Sequence, residues 1–273
     1  MINLKRNNKL ELVDALGIRT KESSIYKANQ EKDFKLSRSK FDDFLKCQRC
    51  FYLDRVKGLI SPGMPSWSLN ETTDLLLKKE FDRCREDEKP HRLFLENGLD
   101  HLVPFKHEEM DNWRDSMRHG LIAKFEDTNI NLSGGIDDIW QDTKTKDLIV
   151  VDYKSQASSY AVEPDSYLNS GWHQGYKLQM DFYNFLLNLM GFKTADTSYF
   201  LVVNANRNAE GFFSNMAFSE TLIPYKHSTS WIPEKVREMI DLMNQEKVPK
   251  NNPSCENCAY TKQIFNLIKN KNN

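Results

Sequence analysis

Two CxxC motifs, Cys47-Gln48-Arg49-Cys50 and Cys255-Glu256-Asn257-Cys258, constrain this chain more than any other feature. A CxxC turn presents two thiolates to one metal, and two such turns complete a tetrahedral set of four. A metal joining Cys47 to Cys258 closes a loop of roughly two hundred residues, so any fold must bring early and late segments to one point. Four thiolates suit either a structural zinc or an iron–sulfur cluster. Disulfides are the poorer account, because no secretory signal pattern is visible and paired CxxC motifs in a cytosolic chain favour metals. The fifth cysteine, Cys84, reads as a half-buried thiol. Just before the first motif, Ser39 with Asp42 resembles a capping box that starts a helix running into Cys47.

Between the two motifs lies a hairpin. Thr143-Lys144-Thr145-Lys146-Asp147 reads as a polar turn between strands over 129–141 and 147–154. A turn centred between Lys144 and Thr145 sets Asp137 opposite Asp152. Directly opposed side chains stand about 5 Å apart at Cβ, close enough for two carboxylates to share a divalent cation. Alternation along the second strand points Asp152 and Lys154 to one side and Tyr153 to the other. Two acids and a lysine on one face suit hydrolysis of a phosphodiester. The plainer alternative is a solvated acidic face with a weak Asp152–Lys154 surface pair. Leu148-Ile149-Val150-Val151 argues against it, since a strand apolar on both faces is covered on both sides and a carboxylate at its end needs a partner.

The segment from Trp172 to Met190 predicts a buried helix with two apolar stripes. Gln179 and Tyr183 are four apart and share a face. A buried glutamine requires hydrogen-bond partners: a nucleic-acid backbone, the shell of a bound metal, or simply a neighbouring backbone group.

Gly134 and Asp137, then Asp152 and Lys154, then Gln179 and Tyr183, in this order and spacing, resemble the PD-(D/E)XK nuclease superfamily. More narrowly they are similar to its RecB-like branch, over about residues 37 to 260. The resemblance implies an α/β (α+β type, mixed-sheet) fold: a restriction-endonuclease-like αβββαβ core with a four-cysteine metal staple joining the N- and C-terminal segments. It implies a deoxyribonuclease, an exonuclease on DNA ends, acting in repair, recombination or replication. Asp137 and Asp152, with the backbone carbonyl of Tyr153, would hold Mg²⁺ or Mn²⁺; Lys154, Gln179 and Tyr183 would serve catalysis. The branch usually carries a histidine on the first core helix, and residues 69–82 contain none. Asp74 stands where that ligand is expected, with Glu80 as the next candidate; either can bind a hard cation through oxygen. His119 and His173 read as ordinary polar residues. Relatives clamp their ends with a 4Fe–4S cluster held by one early and three late cysteines. The two-and-two arrangement of Cys47, Cys50, Cys255 and Cys258 departs from that and keeps structural Zn²⁺ as an alternative.

The remaining expectations are coarser. Residues 1–34 read as an extension of unassigned role, 35–262 as the nuclease domain with both CxxC motifs, and 263–273 as a tail. Amphipathic helices are predicted over 69–87 and 108–126, the second with Met110, Trp113, Met117, Leu121 and Phe125 in one stripe. Further strands are expected at 198–203 and 211–218, a polar loop over 155–171 that gates substrate, and a helix near 231–246. Trp172 and Tyr176 are candidates for stacking on unpaired bases. With 38 Lys and Arg against 39 Asp and Glu, the net charge of −1 neither marks nor forbids a nucleic-acid enzyme. Lys154, Lys177, Lys193, Arg207 and Lys226 are available for a basic groove. No apolar run approaches a membrane span and no signal peptide pattern precedes the domain, so a cytoplasmic protein is expected. The expected partners are single-stranded or end-containing DNA and a helicase or recombination protein. The competing expectation is a non-catalytic nucleic-acid-binding module with a zinc staple and a relic nuclease fold.

Overall fold

The run Leu148-Ile149-Val150-Val151, apolar on both faces, builds the central strand around which the larger part of the chain assembles. The computed structural model describes residues 4–63 and 67–269. In chain order the elements are β1 (Phe34–Ser37), α1 (Arg38–Lys46), α2 (Gln48–Arg55), α3 (Ser68–Glu86), α4 (Arg92–Glu96), β2 (Leu102–Pro104), α5 (Met110–Arg114) and β3 (Leu121–Lys124). There follow β4 (Ile130–Gly134), β5 (Asp138–Asp142), β6 (Leu148–Ser158), α6 (Pro164–Asn169), α7 (Gln174–Leu189), β7 (Thr197–Asn206), β8 (Phe218–Lys226), α8 (Ile232–Met243) and α9 (Glu256–Lys269).

These elements form two compact units. The first draws on Met1–Ser66, Glu126–Asn131 and Pro233–Asn273, the second on Trp67–Phe125 and Leu132–Ile232. In the first, Phe44 meets Phe51 edge-on at 5.6 Å, and Tyr52 donates its hydroxyl to the Gln245 carbonyl at 2.7 Å. Tyr26 is buried and donates to Asn244 at 3.0 Å, so the early segment is tied to the end of α8.

The second unit carries a five-stranded mixed sheet in the order β2-β5-β6-β7-β8. Every neighbouring pair is antiparallel except β6–β7. A parallel pair needs a crossover, and α6 with α7 supplies it. Helix, antiparallel strands, helix and parallel strand give the expected mixed α/β core. One face of β6 presents Ile149, Val151 and Tyr153 to a cluster with Leu77 and Phe81 of α3, Phe94, and Trp140 of β5. Phe81 stacks on Trp140 at 5.5 Å, and Phe94 meets the same indole edge-on at 4.5 Å. Aromatic pairs of this kind contribute about 0.5–1.5 kcal/mol beyond burial. Asp152 and Lys154 occupy the opposite parity of the strand, which separates chemistry from core.

The hairpin register is the one its turn implies: Asp138 pairs with Val151 and Ile139 with Val150. Several other expectations are corrected. The stretch 108–126 is not one helix. The helix ends at Arg114, where Asp115 takes a non-helical ψ of 81°, and β3 follows Gly120, which adopts φ +77° and where a Cβ would meet the Gly134 carbonyl oxygen at 2.8 Å. Met117 is accordingly exposed, although its stripe-mates Met110, Trp113, Leu121 and Phe125 are buried. The strand expected over 129–141 breaks into β4 and β5 around Gly135 to Asp137. Residues 155–171 are not a loop throughout, since β6 runs to Ser158 and α6 follows. The strand expected over 211–218 is a turn, with Phe213 and Ser214 both at positive φ, and β8 starts only at Phe218. Ser37 precedes the first helix residue of α1, not Ser39, and the two hydroxyls contact each other at 2.9 Å. Trp172 lies outside α7, in a single 3₁₀ turn. Among the described residues no helix is long and apolar enough to cross a membrane.

Candidate active site and metal centre

Asp137 stands at the break between β4 and β5, where its backbone has left the ladder and its side chain is free to turn inward. Its Oδ2 accepts the Tyr153 N–H at 2.8 Å, which fastens it to β6 beside Asp152. Asp152 is wholly buried, and its Oδ1 accepts from Gln179 Nε2 of α7 at 2.7 Å. That amide also lies 3.2 Å from the Tyr183 hydroxyl, as expected for residues one helical turn apart. Lys154 pairs with Asp152, and its ammonium sits 4.6 Å above the Tyr176 ring. From α3, Lys78 contacts Asp74 at 2.8 Å and approaches Asp137 to 3.9 Å. Three segments, α3, the β4–β5 break and β6, thus bring three carboxylates and two ammonium groups near one another, and α7 adds the Gln179 amide.

Charge and burial compete here. Burial pushes the Asp152 carboxyl up to about 7, the Lys154 charge opposes that, and the Asp137 charge adds to it. Asp74 is also raised, by burial and by Asp137, with Lys78 opposing. Burial works against the charge on Lys154, yet Asp152 and Asp137 win and hold its pKa above the ordinary lysine value. A set of acids that resist joint ionisation is one that a hard, oxygen-seeking cation would relieve. The carboxylates suit such an ion by donor type. They are nevertheless not closed to one ion's reach: among the described residues, only the four cysteines form a group of three or more ligands that tight.

Asp138, next to Asp137, carries no signal in the sequence that marks it out. It is fully buried and receives both Arg85 and Arg114, together with the Tyr153 hydroxyl at 2.7 Å. Arg114 Nε donates to the Asp137 carbonyl at 3.1 Å. The Tyr153 ring therefore anchors the side of β6 opposite the site while its N–H holds Asp137. Lys78 is a second residue that the sequence does not announce; its only signal is its position one turn after Asp74. Glu80 is engaged elsewhere, by Arg92 at 2.7 Å and His91 at 3.0 Å. His119 lies 3.4 Å from Asp115, and His173 Nδ1 lies 2.9 Å from the Tyr167 carbonyl. Neither histidine joins the carboxylates.

In the first unit the four cysteines converge as expected. Cys47 precedes α2 and Cys50 lies in its first turn; Cys255 precedes α9 and Cys258 lies in its first turn. Two helix N-termini, the ends that favour negative charge, point at the same four sulfurs. The Cys47–Cys258 separation is 3.9 Å, Cys50–Cys255 and Cys50–Cys258 are each 3.5 Å, and all four lie within 4.8 Å of one another. Burial opposes charge on Cys47, but hydrogen bonds from the Asn252 and Cys50 backbones and from neighbouring thiols bring it down to about 7. Burial and the neighbouring sulfurs push Cys50 up, and burial leads in raising Cys258 to about 11. Four sulfurs this close suit a cation that takes them all as thiolates.

The family comparison agrees with this geometry. A model of the PD-(D/E)XK nuclease superfamily matches residues 66–263, and the chain belongs to that superfamily. It is a nuclease-fold hydrolase whose substrate class is nucleic acid. No curated protein matches the chain. Among solved structures, it is similar to a "Putative exonuclease" from Eubacterium rectale, with 14% identity, a TM-score of 0.40, and coverage of 85% of this chain and 88% of that one.

Proposed function

We propose that the protein is a divalent-metal-dependent deoxyribonuclease of the RecB-like branch, an exonuclease on DNA ends in repair, recombination or replication. The convergence of Asp137, Asp152 and Lys154 on one face, with Gln179 bonded to Asp152, is the observation that carries this reading. Asp74, Asp137, Asp152 and the Tyr153 carbonyl are the groups that would hold Mg²⁺ or Mn²⁺. Such an ion supplies an acidified water and a Lewis acid at the phosphate. Lys154, paired with Asp152, would orient or help deprotonate that water and offset charge at the phosphate. Gln179 fixes the Asp152 carboxylate, and Tyr183 backs Gln179. A cytoplasmic location and a helicase or recombination partner go with the same reading.

At the cysteine centre the four sulfurs would hold one metal centre, a 4Fe–4S cluster or a single zinc, and the two differ in colour and metal content. Tetrahedral Zn–S bonds of about 2.3 Å put the sulfurs about 3.8 Å apart, and the three closest pairs here span 3.5–3.9 Å. A four-iron cube places a separate iron under each thiolate and sets its ligand sulfurs further apart. Purified anaerobically, the protein should be brown with iron and sulfide near one cluster per chain; colourless protein with one zinc per chain would overturn the cluster reading and leave the staple.

The test of the main reading is incubation with end-labelled single- and double-stranded DNA, with Mn²⁺ and with EDTA. Wild type should cleave in Mn²⁺ only, and Asp152→Asn should not cleave. Lys154→Ala should retain DNA binding but lose about 10²–10³ in kcat. DNA binding without cleavage by wild type would favour the binding-module alternative.

A further inference from the structure

Beyond Lys154, the strand that carries it continues as Ser155, Gln156 and Ala157, which form one wall of an open groove of about 600 Å³. That volume lies within the roughly 300–1,000 Å³ range of ligand sites. The opposite wall comes from the start of α3, where Asn70 and Thr73 immediately precede Asp74. The groove and the candidate active site therefore share two elements and adjoin without a gap in sequence. All of its lining belongs to the second unit.

The composition of the walls is unusual for exposed surface. Trp67 is 70% exposed and Phe212 68%, and Phe218 also stands in contact with solvent. Exposed aromatic rings grouped in one concavity mark a binding surface rather than scattered surface apolarity. No lining residue is acidic, in a chain with 39 acids, and one, Arg207, is cationic with no acidic partner among the described residues. The third wall, the turn between β7 and β8, is built rather than loose. Asn206 N–H donates to the Ala217 carbonyl at 2.9 Å, Asn215 N–H to Phe212 at 2.8 Å, and the Asn208 amide reaches the Ser159 carbonyl at 2.9 Å. The Phe213 ring lies over Gly211, where any Cβ would come within 2.7 Å of it.

We propose that this groove receives the unpaired strand of a DNA substrate, its bases stacking on Trp67 and Phe212 while its backbone runs on to Asp137 and Lys154. Rings that stack on any base, with polar amides and a lone cation between them, match sequence-tolerant single-strand binding. The absence of carboxylates admits the phosphates, and continuity with α3 and β6 delivers the strand to the acids. This deepens the nuclease reading and rests on it for the identity of the ligand.

The experiment is fluorescence anisotropy with a labelled twelve-nucleotide oligo(dT) in EDTA, where cleavage is stopped, and with an abasic oligomer of the same length. Trp67→Ala and Phe212→Ala should each weaken oligo(dT) binding about ten-fold or more, and Trp67→Phe should restore most of it. The abasic oligomer should bind wild type weakly and be indifferent to both substitutions. Both side chains are exposed, and an unchanged Tm checks that folding is intact. Unaltered oligo(dT) affinity in both alanine variants, or equal affinity of wild type for the two oligomers, would overturn the groove assignment. Cleavage in Mn²⁺ is read separately: wild-type cleavage with unaltered variant affinity removes the groove alone, whereas loss of affinity without wild-type cleavage removes the nuclease reading alone.

Discussion

Replacing Asp138 with alanine tests how the site is held. The side chain is wholly buried and accepts from Arg85, from Arg114 at 3.0 Å and from the Tyr153 hydroxyl at 2.7 Å. Alanine leaves two arginines that are at most 9% exposed at the side chain, each retaining the half-solvated Asp82 as its one acidic partner among the described residues, with a backbone carbonyl (Phe105 for Arg85, Asp137 for Arg114) as a neutral one. Removing one member of a buried ion pair typically costs about 3–5 kcal/mol. The remaining contacts to Asp82 place this case towards the lower end, and the unpaired Tyr153 hydroxyl returns part of the difference. At about 2–4 °C per kcal/mol for a domain of this size, the Tm should fall by about 10 °C in a calorimetric or circular-dichroism melt. Asp138→Asn keeps an acceptor and should fall less. Because Tyr153 couples Asp138 to Asp137, Tyr153→Phe combined with Asp138→Ala should cost less than the sum of the two single changes. A fall below about 3 °C for Asp138→Ala, or strict additivity with Tyr153→Phe, would refute the claim that this network is buried and coupled.

Three further outcomes are expected. Burial works against charge on Asp54, but hydrogen bonds from Arg55, Arg19 and Lys40 hold its carboxyl down at about 2. Its stabilisation is complete above its ordinary value of 3.8 and fades as pH falls through 2, so Asp54→Asn should flatten the dependence of Tm on pH in that acid range. At Gly135 an added Cβ would stand 2.4 Å from Ser116 Cβ and 2.8 Å from its Cα; Gly135→Ala should cost about 1–3 kcal/mol and reduce cleavage by shifting Asp137, read by melting and by DNA assay. With a metal held by the four cysteines, as proposed, a strong chelator should lower the unfolding temperature, and returning the metal removed should restore it.

Much of the site was legible because it obeys short-range rules. The turn at Lys144 and Thr145 sets the register that brings Asp137 beside Asp152, and a four-residue step places Gln179 near Tyr183. The 108–126 stretch misled because buried positions on a short helix and on a strand beyond it happened to fall at helical spacing. The backbone turns at Asp115 and Gly120 separate the two, and a hydrophobic pattern does not register them. Phe212 and Phe213 resembled a strand for a similar reason, since β-propensity carries no information about positive φ. Lys78 and Asp138 were invisible because their meaning lies in partners from distant segments: Asp137 for the first, Arg85 and Arg114 for the second.

The order in which the segments leave the ribosome follows from the position of the second CxxC. Every residue of the five-stranded sheet, Asp152 and Lys154 included, and Asp137 beside it, is synthesised before Cys255 and Cys258 appear. The first unit, by contrast, holds only two of its four clustered cysteines until the chain has been extended past Cys258. A nascent chain should therefore carry the whole sheet while the early pair, Cys47 and Cys50, still awaits the second pair. Over that interval the four-cysteine group is incomplete, and its duration is set by elongation rate rather than by the speed of folding.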